Sequence, residues 1–299
     1  MLILALSSPA DASFLARSKA DAFEVGLKDF SSRSGWDPGV DEAAEFIALC
    51  HASHKKVYFN LQRMVEQSFL EQARDVFLAL VQNGADGIYA ADEAYTQFAL
   101  EADRSRQNSG QNDPEDSYIS KVIIQPETLI NSGLDARFYT DLGVQAVSLA
   151  HELTLAEIVA CAKECDNLEV MISGSMTWME SRRPLISNYL DCIGKSELFE
   201  EGKLYILKEQ IRQLPLPAWQ DAEGTKILGD SRLEAGADVI PMHQAGIKRF
   251  RIDAGFLSNE EAEQLVDAYQ AALEGKQSEV LPESTLPKKE TTLFKEKTR

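Results

Sequence analysis

Lys56-Val-Tyr-Phe-Asn60, the amphipathic stretch Phe69–Asn83 and Gly87-Ile-Tyr-Ala90 form one unit: an apolar run, a helical period and a second apolar run. Phe69, Leu70, Ala73, Val76, Phe77 and Leu80 recur three and four residues apart, the spacing of a helix with one buried face. The flanking runs are almost continuously apolar, as strands covered on both faces of a parallel sheet are. Outward from this unit the same alternation repeats. Strands are expected at Leu2–Leu6, Ala22–Gly26, Lys121–Gln125, Ala146–Ala150, Leu168–Ile172 and Lys248–Ile252, and helices at Asp41–Ser53, Leu134–Leu142 and Thr154–Glu164. Eight such units in one chain fit an α/β fold of the closed, TIM-like (β/α)8 barrel type better than an open sheet. A Gly or Ala closes several helices just before the next strand, as in Asn83-Gly-Ala-Asp-Gly87 and Leu142-Gly-Val-Gln-Ala146.

Two stretches depart from this rhythm. Arg104–Ser117 is polar and reads as a solvated loop before the fifth strand. Residues 173–246 are too many for one crossover and contain Leu214-Pro-Leu-Pro-Ala218, so they read as an excursion after strand seven. The expected organisation is a barrel domain over 1–275, elaborated at 173–246, and a polar, flexible tail over 276–299. That tail carries six basic and four acidic side chains, which leaves −20 on residues 1–275.

The whole chain has 299 residues, 44% hydrophobic and 26% charged, with 30 Lys+Arg against 48 Asp+Glu. A net charge of −18 repels phosphate backbones and argues against autonomous nucleic-acid binding. Met1–Leu6 is apolar for only six residues and no basic segment precedes it, which is too short for a signal-peptide core or a membrane span; a cytoplasmic protein is expected. Cys50, Cys161, Cys165 and Cys192 show no Cys-x-x-Cys spacing and read as reduced thiols.

Active sites of such barrels sit on the loops that follow the strands. The strand-end residues are Ser7 and Ser8; Lys28 and Arg33; Asn60 and Arg63; Asp92 and Glu93; Gln125 and Glu127; His151 and Glu152; Ser173 to Arg183; and Asp253. His51-x-x-His54 has a metal-ligand spacing but precedes strand three, on the opposite face, and reads as a surface pair. His151 directly follows strand six, and both a structural and a site role are open to it. No Gly-x-Ser-x-Gly elbow, P-loop or Gly-x-Gly-x-x-Gly occurs, which disfavours serine-hydrolase, ATP and dinucleotide chemistry. The carboxylates at strand ends could work as an acid–base pair, but 48 acids make such coincidences cheap. Arg182-Arg183 is a twin fork suited to carboxylate or phosphate, or to pairing with surplus surface acids. The anion-binding locus is expected around Arg33, Asn60, His151, Glu152, Arg182, Arg183 and Asn188. Which residues are catalytic, and whether the chain is an enzyme, is left open.

Four segments resemble the peptidase U32 (collagenase-like) family: Phe23-Glu-Val-Gly-Leu-Lys-Asp-Phe-Ser-Ser-Arg33, Lys56-Val-Tyr-Phe-Asn-Leu61, Leu142 to Ile158, and Gly174-Ser-Met-Thr-Trp-Met-Glu-Ser-Arg-Arg-Pro-Leu-Ile-Ser-Asn-Tyr189. A looser match runs through Phe250-Arg-Ile-Asp-Ala-Gly255 to Tyr269. The resemblance implies a barrel-type domain and relatives that act in RNA modification and quinone hydroxylation more than in proteolysis. Several relatives hold an iron–sulfur cluster on four cysteines. Here Thr177 and Pro184 stand at the first two of those positions, Ser173 stands where the block has its histidine, and the later cysteine pair is missing. A four-iron cluster needs four thiolates, so no cofactor held through cysteine and no metal is expected. The chain is similar to the short, cysteine-poor U32 paralogues. The function this implies is that of a companion subunit in prephenate-dependent 5-hydroxylation of the tRNA wobble uridine. Its expected partners are a longer U32 paralogue, tRNA through that partner, and a small anionic metabolite such as prephenate. A U32-type peptidase and a barrel that only binds a small anion are the alternatives.

Overall fold

The structure, a computed structural model, describes residues 1–31, 36–110, 117–208, 214–222 and 224–288. Two compact units are present: Met1–Gly174 together with Glu234–Arg299, and Ser175–Leu233.

The larger unit alternates strand and helix: β1 (Leu2–Ala5), α1 (Ala12–Arg17), β2 (Ala22–Gly26), α2 (Val40–Ala52), β3 (Lys56–Leu61), α3 (Leu70–Gln82), β4 (Gly87–Ala90), α4 (Glu93–Asn108), β5 (Val122–Ile124), α5 (Gly133–Thr140), β6 (Ala146–Ser148), α6 (Leu155–Glu164) and β7 (Leu168–Ser181), whose residues from Ser175 on belong to the smaller unit. In the smaller unit lie α7 (Leu185–Cys192), β8 (Tyr205–Lys208), β9 (Pro215–Asp221) and most of β10 (Gly224–Glu234); α8 (Val239–Gln244), β11 (Arg249–Asp253) and α9 (Asn259–Leu273) return to the barrel. The strand order is β11-β1-β2-β3-β4-β5-β6-β7, and β7 pairs again with β11, so eight parallel strands close on themselves. Closure leaves the eight barrel strands without an open edge strand among them. The fold is a (β/α)8 barrel.

The helix starts follow from local chemistry. Thr154 and Glu157 form a reciprocal capping box at α6, Ser258 and Glu261 form another at α9, and Asp11, Asp92 and Ser132 cap α1, α4 and α5. On the outer face of the sheet Phe23, Val25, Val57 and Phe59 are fully buried under the helices. On the inner face Ile3, Ala22, Tyr58, Tyr89, Ile123 and Ala146 pack together near the strand starts.

Three expectations are corrected. The polar stretch Arg104–Ser117 is not all loop: α4 runs to Asn108, and the Asp103 carboxylate fastens the returning chain by accepting Tyr118 N at 2.8 Å and Ile119 N at 3.0 Å; residues 111–116 lie outside the described residues. The excursion is tighter than 173–246, because Glu234 onward rejoins the barrel as α8. The tail is docked rather than loose through Lys288. Thr285 N donates to Glu234 O, Glu234 N donates to Thr285 Oγ1, both at 2.8 Å, and Leu286 is buried. Within the smaller unit β8, β9 and β10 make an antiparallel meander, and α7 packs Ile186 and Leu190 on Ala218.

Candidate functional site: a charged barrel interior

Strand alternation aims every second residue at the barrel axis. Continuing from the inner cluster, the next inward positions are Glu24 on β2, Asn60 on β3, Gln125 just after β5, Ser148 on β6 and Glu169 on β7. All are fully buried or nearly so. Arg249 and Arg251 enter from β11, register-paired with Glu169 and Met171. Arg251, fully buried, donates both Nε and Nη2 to the Glu24 carboxylate and Nη2 again to Asp253 Oδ2 at 3.3 Å. β1 lies between β11 and β2, and it presents only the methyl of Ala5 in register with Glu24, which lets the guanidinium reach across. Arg249 Nε donates to Glu169 Oε2 at 3.1 Å, and Tyr89 OH donates to the same oxygen at 2.9 Å. The two guanidinium groups also lie over rings, Arg249 over Tyr58 at 5.2 Å and Arg251 over Tyr89 at 5.8 Å.

Two fully buried carboxylates, Glu24 and Glu169, face the two guanidinium groups, and the partly exposed Asp253 adds a third acid on Arg251. Burial pushes the Glu169 carboxyl above its ordinary range, and the neighbouring Arg249 and Arg251 oppose that rise. Burial also drives the Tyr89 hydroxyl well above its usual value. Tyr89 is therefore held as a hydrogen-bond donor to Glu169.

The expected site residues fall in different places. Asn60 is buried: its Nδ2 donates to Glu24 Oε1 at 2.9 Å and to Gln62 Oε1 at 2.6 Å. Both amide hydrogens are therefore committed to the interior, and Asn60 serves the Glu24–Arg251 cluster rather than an incoming anion. Gln62 extends the chain by donating to Gln125 O at 2.7 Å. His151 is buried after β6, with its backbone N donating to Glu127 O at 3.3 Å, while Glu152 beside it is exposed. Glu127 holds a left-handed φ of 60°, uncommon for a residue with a side chain. Arg182, Arg183 and Asn188 are exposed and belong to the smaller unit, so His151 and Glu152 are the pair of site residues that the barrel itself brings side by side. Arg33 lies outside the described residues. His51 pairs through Nε2 with Asp86 Oδ2 at 3.0 Å, which gives it a carboxylate partner the sequence did not suggest. A hollow at the ends of β4 and β5 is lined by Ala91, Asp92, Glu93, Ile124, Pro126, Leu129 and Tyr139, and its acids make it a poor host for an anion.

Sequence reasoning passed over Glu24, Glu169, Arg249 and Arg251. The signal was present: Phe23-Glu24-Val25, Leu168-Glu169-Val170 and Phe250-Arg251-Ile252 each place a charge between apolar neighbours inside a strand. In a barrel those neighbours face the helices, so the charge must face the axis.

The cysteines do not match a four-thiolate cluster. Cys50 is buried on α2, Cys161 and Cys165 are buried along α6 and at its end, and Cys192 is exposed at the end of α7 in the other unit. Burial pushes the Cys50 thiol up to about 12 and raises Cys161 as well, the reverse of what metal ligation needs. Among the described residues no group of three or more His, Cys, Asp or Glu is arranged to hold a metal ion. None of the described helices is long and apolar enough to cross a membrane.

The fold and interior define a (β/α)8-barrel protein with a charged core and one elaborated strand end. The family model for Peptidase family U32 matches residues 7–298, and the chain belongs to that family. It is 22% identical over 277 residues to "tRNA hydroxylation protein P2" of Bacillus subtilis, which covers 91% of this chain and 85% of that relative. It is 26% identical over 192 residues to a 23S rRNA 5-hydroxycytidine synthase of Escherichia coli, covering 62% of this chain but only 26% of the longer protein. Among solved structures, a xylose isomerase domain-containing protein of Salmonella typhimurium aligns with a TM-score of 0.45 at 11% identity over 91% of this chain and 96% of that one. The barrel assignment stands on this chain's own strand order.

Proposed function

We propose that this chain takes part in RNA hydroxylation as a cluster-free companion of a longer U32-family protein, in the prephenate-dependent 5-hydroxylation of the tRNA wobble uridine. The observation that carries the reading is the end-to-end similarity to the Bacillus subtilis tRNA hydroxylation protein, which extends over most of both chains. The scattered cysteines, three of them buried and Cys192 exposed, support the absence of a cluster in this subunit. The charge distribution supports a partner that holds the RNA. Residues 175–233 carry eight basic and nine acidic side chains, which leaves −17 on the barrel unit, a body that repels phosphates. A dicarboxylate would meet least repulsion at Arg182 and Arg183, with Asn188 beside them and Arg33, His151 and Glu152 as the other candidates. Affinity purification of the tagged chain from its host tests the companion role. A longer U32 protein should be recovered in stoichiometric amount, and the separated short chain should carry no iron. Recovery of the short chain alone, loaded with one cluster per chain, would contradict both parts.

A further inference from the structure

Three buried residues on successive strands, with the partly exposed Arg249 beside them, leave polar atoms without a partner, and they do so side by side. Ser148 on β6 registers with Glu169 on β7, and Glu169 registers with Arg249 on β11. Gln125 follows Ile124, which registers with Val147, so it stands beside Ser148 on the same inward parity. Gln125 and Glu169 have no exposed surface and Ser148 has 2%. The unpartnered atoms are Gln125 Oε1 and Nε2, Ser148 Oγ, Glu169 Oε1 and Arg249 Nη2. Buried polar atoms are nearly always hydrogen-bonded, and five exceptions in one row of a barrel interior need an account.

The chemistry of the row defines what would satisfy it. Gln125 Nε2 and Arg249 Nη2 donate, Gln125 Oε1 and Glu169 Oε1 accept, and Ser148 Oγ can do either. A guest must therefore both donate and accept. It must also be neutral: an anion would face Glu169 and a cation would face Arg249, which already neutralise each other. Gln125, Ser148 and Glu169 are shut off from solvent, so a guest there is enclosed by the barrel wall. We infer that the barrel interior between Gln125, Ser148, Glu169 and Arg249 is a binding site for a short file of ordered water molecules, a neutral donor–acceptor guest, distinct from any anion site at the rim. Bound water of this kind links the Glu169 carboxyl to Gln125 at the strand ends, and so gives the buried charges a hydrogen-bonded path toward the barrel mouth. The site is independent of the RNA-hydroxylation reading and fails or stands without it.

A high-resolution crystal structure of the full chain is the direct test. Separate density peaks at hydrogen-bonding distance from Ser148 Oγ and Glu169 Oε1 are expected. Clean, empty density would overturn the site, and connected density too large for single waters would replace water by a small neutral solute. Thermal unfolding gives a second test through its sign. In an occupied row, Gln125→Met strands the guest's hydrogen bonds, and Tm should fall by about 2–4 °C. In a dry row the same near-isosteric change removes two orphaned atoms, so a rise in Tm overturns the inference. If Gln125→Met does not fold, Ser148→Ala reads the same sign with a smaller perturbation.

Discussion

Glu24 takes two donor atoms of Arg251 and one of Asn60, all within the barrel, so its carboxylate has exchanged water entirely for protein partners. Such a pair adds little net stability over an apolar filling, but losing one partner strands the other's charge in the interior. Glu24→Ala should therefore cost about 3–5 kcal/mol in equilibrium unfolding; a loss no larger than that of an exposed pair would show that Arg251 finds water. Glu169 adds a pH signature. Its carboxyl is raised by burial, against the pull of Arg249, so the folded state favours the protonated form more than the unfolded chain does. Its contribution is fully present below the ordinary carboxylate range, about pH 4, and is lost as pH rises through the raised value. Urea midpoints measured from mildly acidic to neutral pH should show this decline in the parent chain. Glu169→Gln should lack that part of the slope, and it should be the less stable where the parent carboxylate is ionised, because Arg249 then loses its counter-charge. Parallel curves for the two proteins would contradict the assignment.

At the scale of elements, the corner where β10 enters α8 holds the docked tail. Gly236 has a left-handed φ of 51°, and a Cβ there would sit 2.4 Å from Pro282 O and 2.8 Å from Ser284 N, both backbone atoms with little freedom to yield. Tyr269 OH shares its one hydrogen between Ile172 O at 2.8 Å and Glu234 Oε2 at 3.1 Å in the same corner, and accepts from Gly236 N at 3.1 Å. Gly236→Ala should cost about 1–3 kcal/mol and open residues 282–286 to limited proteolysis; an unchanged cleavage pattern would mean the tail is held elsewhere. This docking was not legible in the sequence, because Pro282, Ser284 and Thr285 carry the composition of a loose tail and their partners lie far away along the chain. The eight barrel strands were legible, since seven are short, largely apolar runs beside helical periodicity and the eighth, Lys248–Ile252, alternates basic and apolar residues. The boundary of the excursion was not: Val239–Gln244 is six residues long, too short for a periodic signal. The interior charges were legible only in part, since the pattern of a charge between apolar neighbours acquires its meaning once the strands are known to close.

For the whole molecule, acidic charge concentrates on the barrel unit, while the smaller unit is near neutral and displays Arg182 and Arg183. If these arginines bind the anionic metabolite, Arg183→Ala should weaken prephenate binding by about one to two decades, the loss of one charge-assisted contact, and leave Tm nearly unchanged because the side chain is exposed. Calorimetric titration beside a melting curve checks both halves. Full binding together with a clear drop in Tm would make Arg183 a structural residue instead. The central claim, that the chain serves tRNA hydroxylation, is tested most directly by nucleoside mass spectrometry of tRNA from a host lacking this gene, with the intact gene restored as control. Wobble 5-hydroxyuridine and the nucleosides built on it should fall sharply in the deletion strain and return on complementation. Unchanged levels, in a host with no second short U32 chain to substitute, would contradict the account.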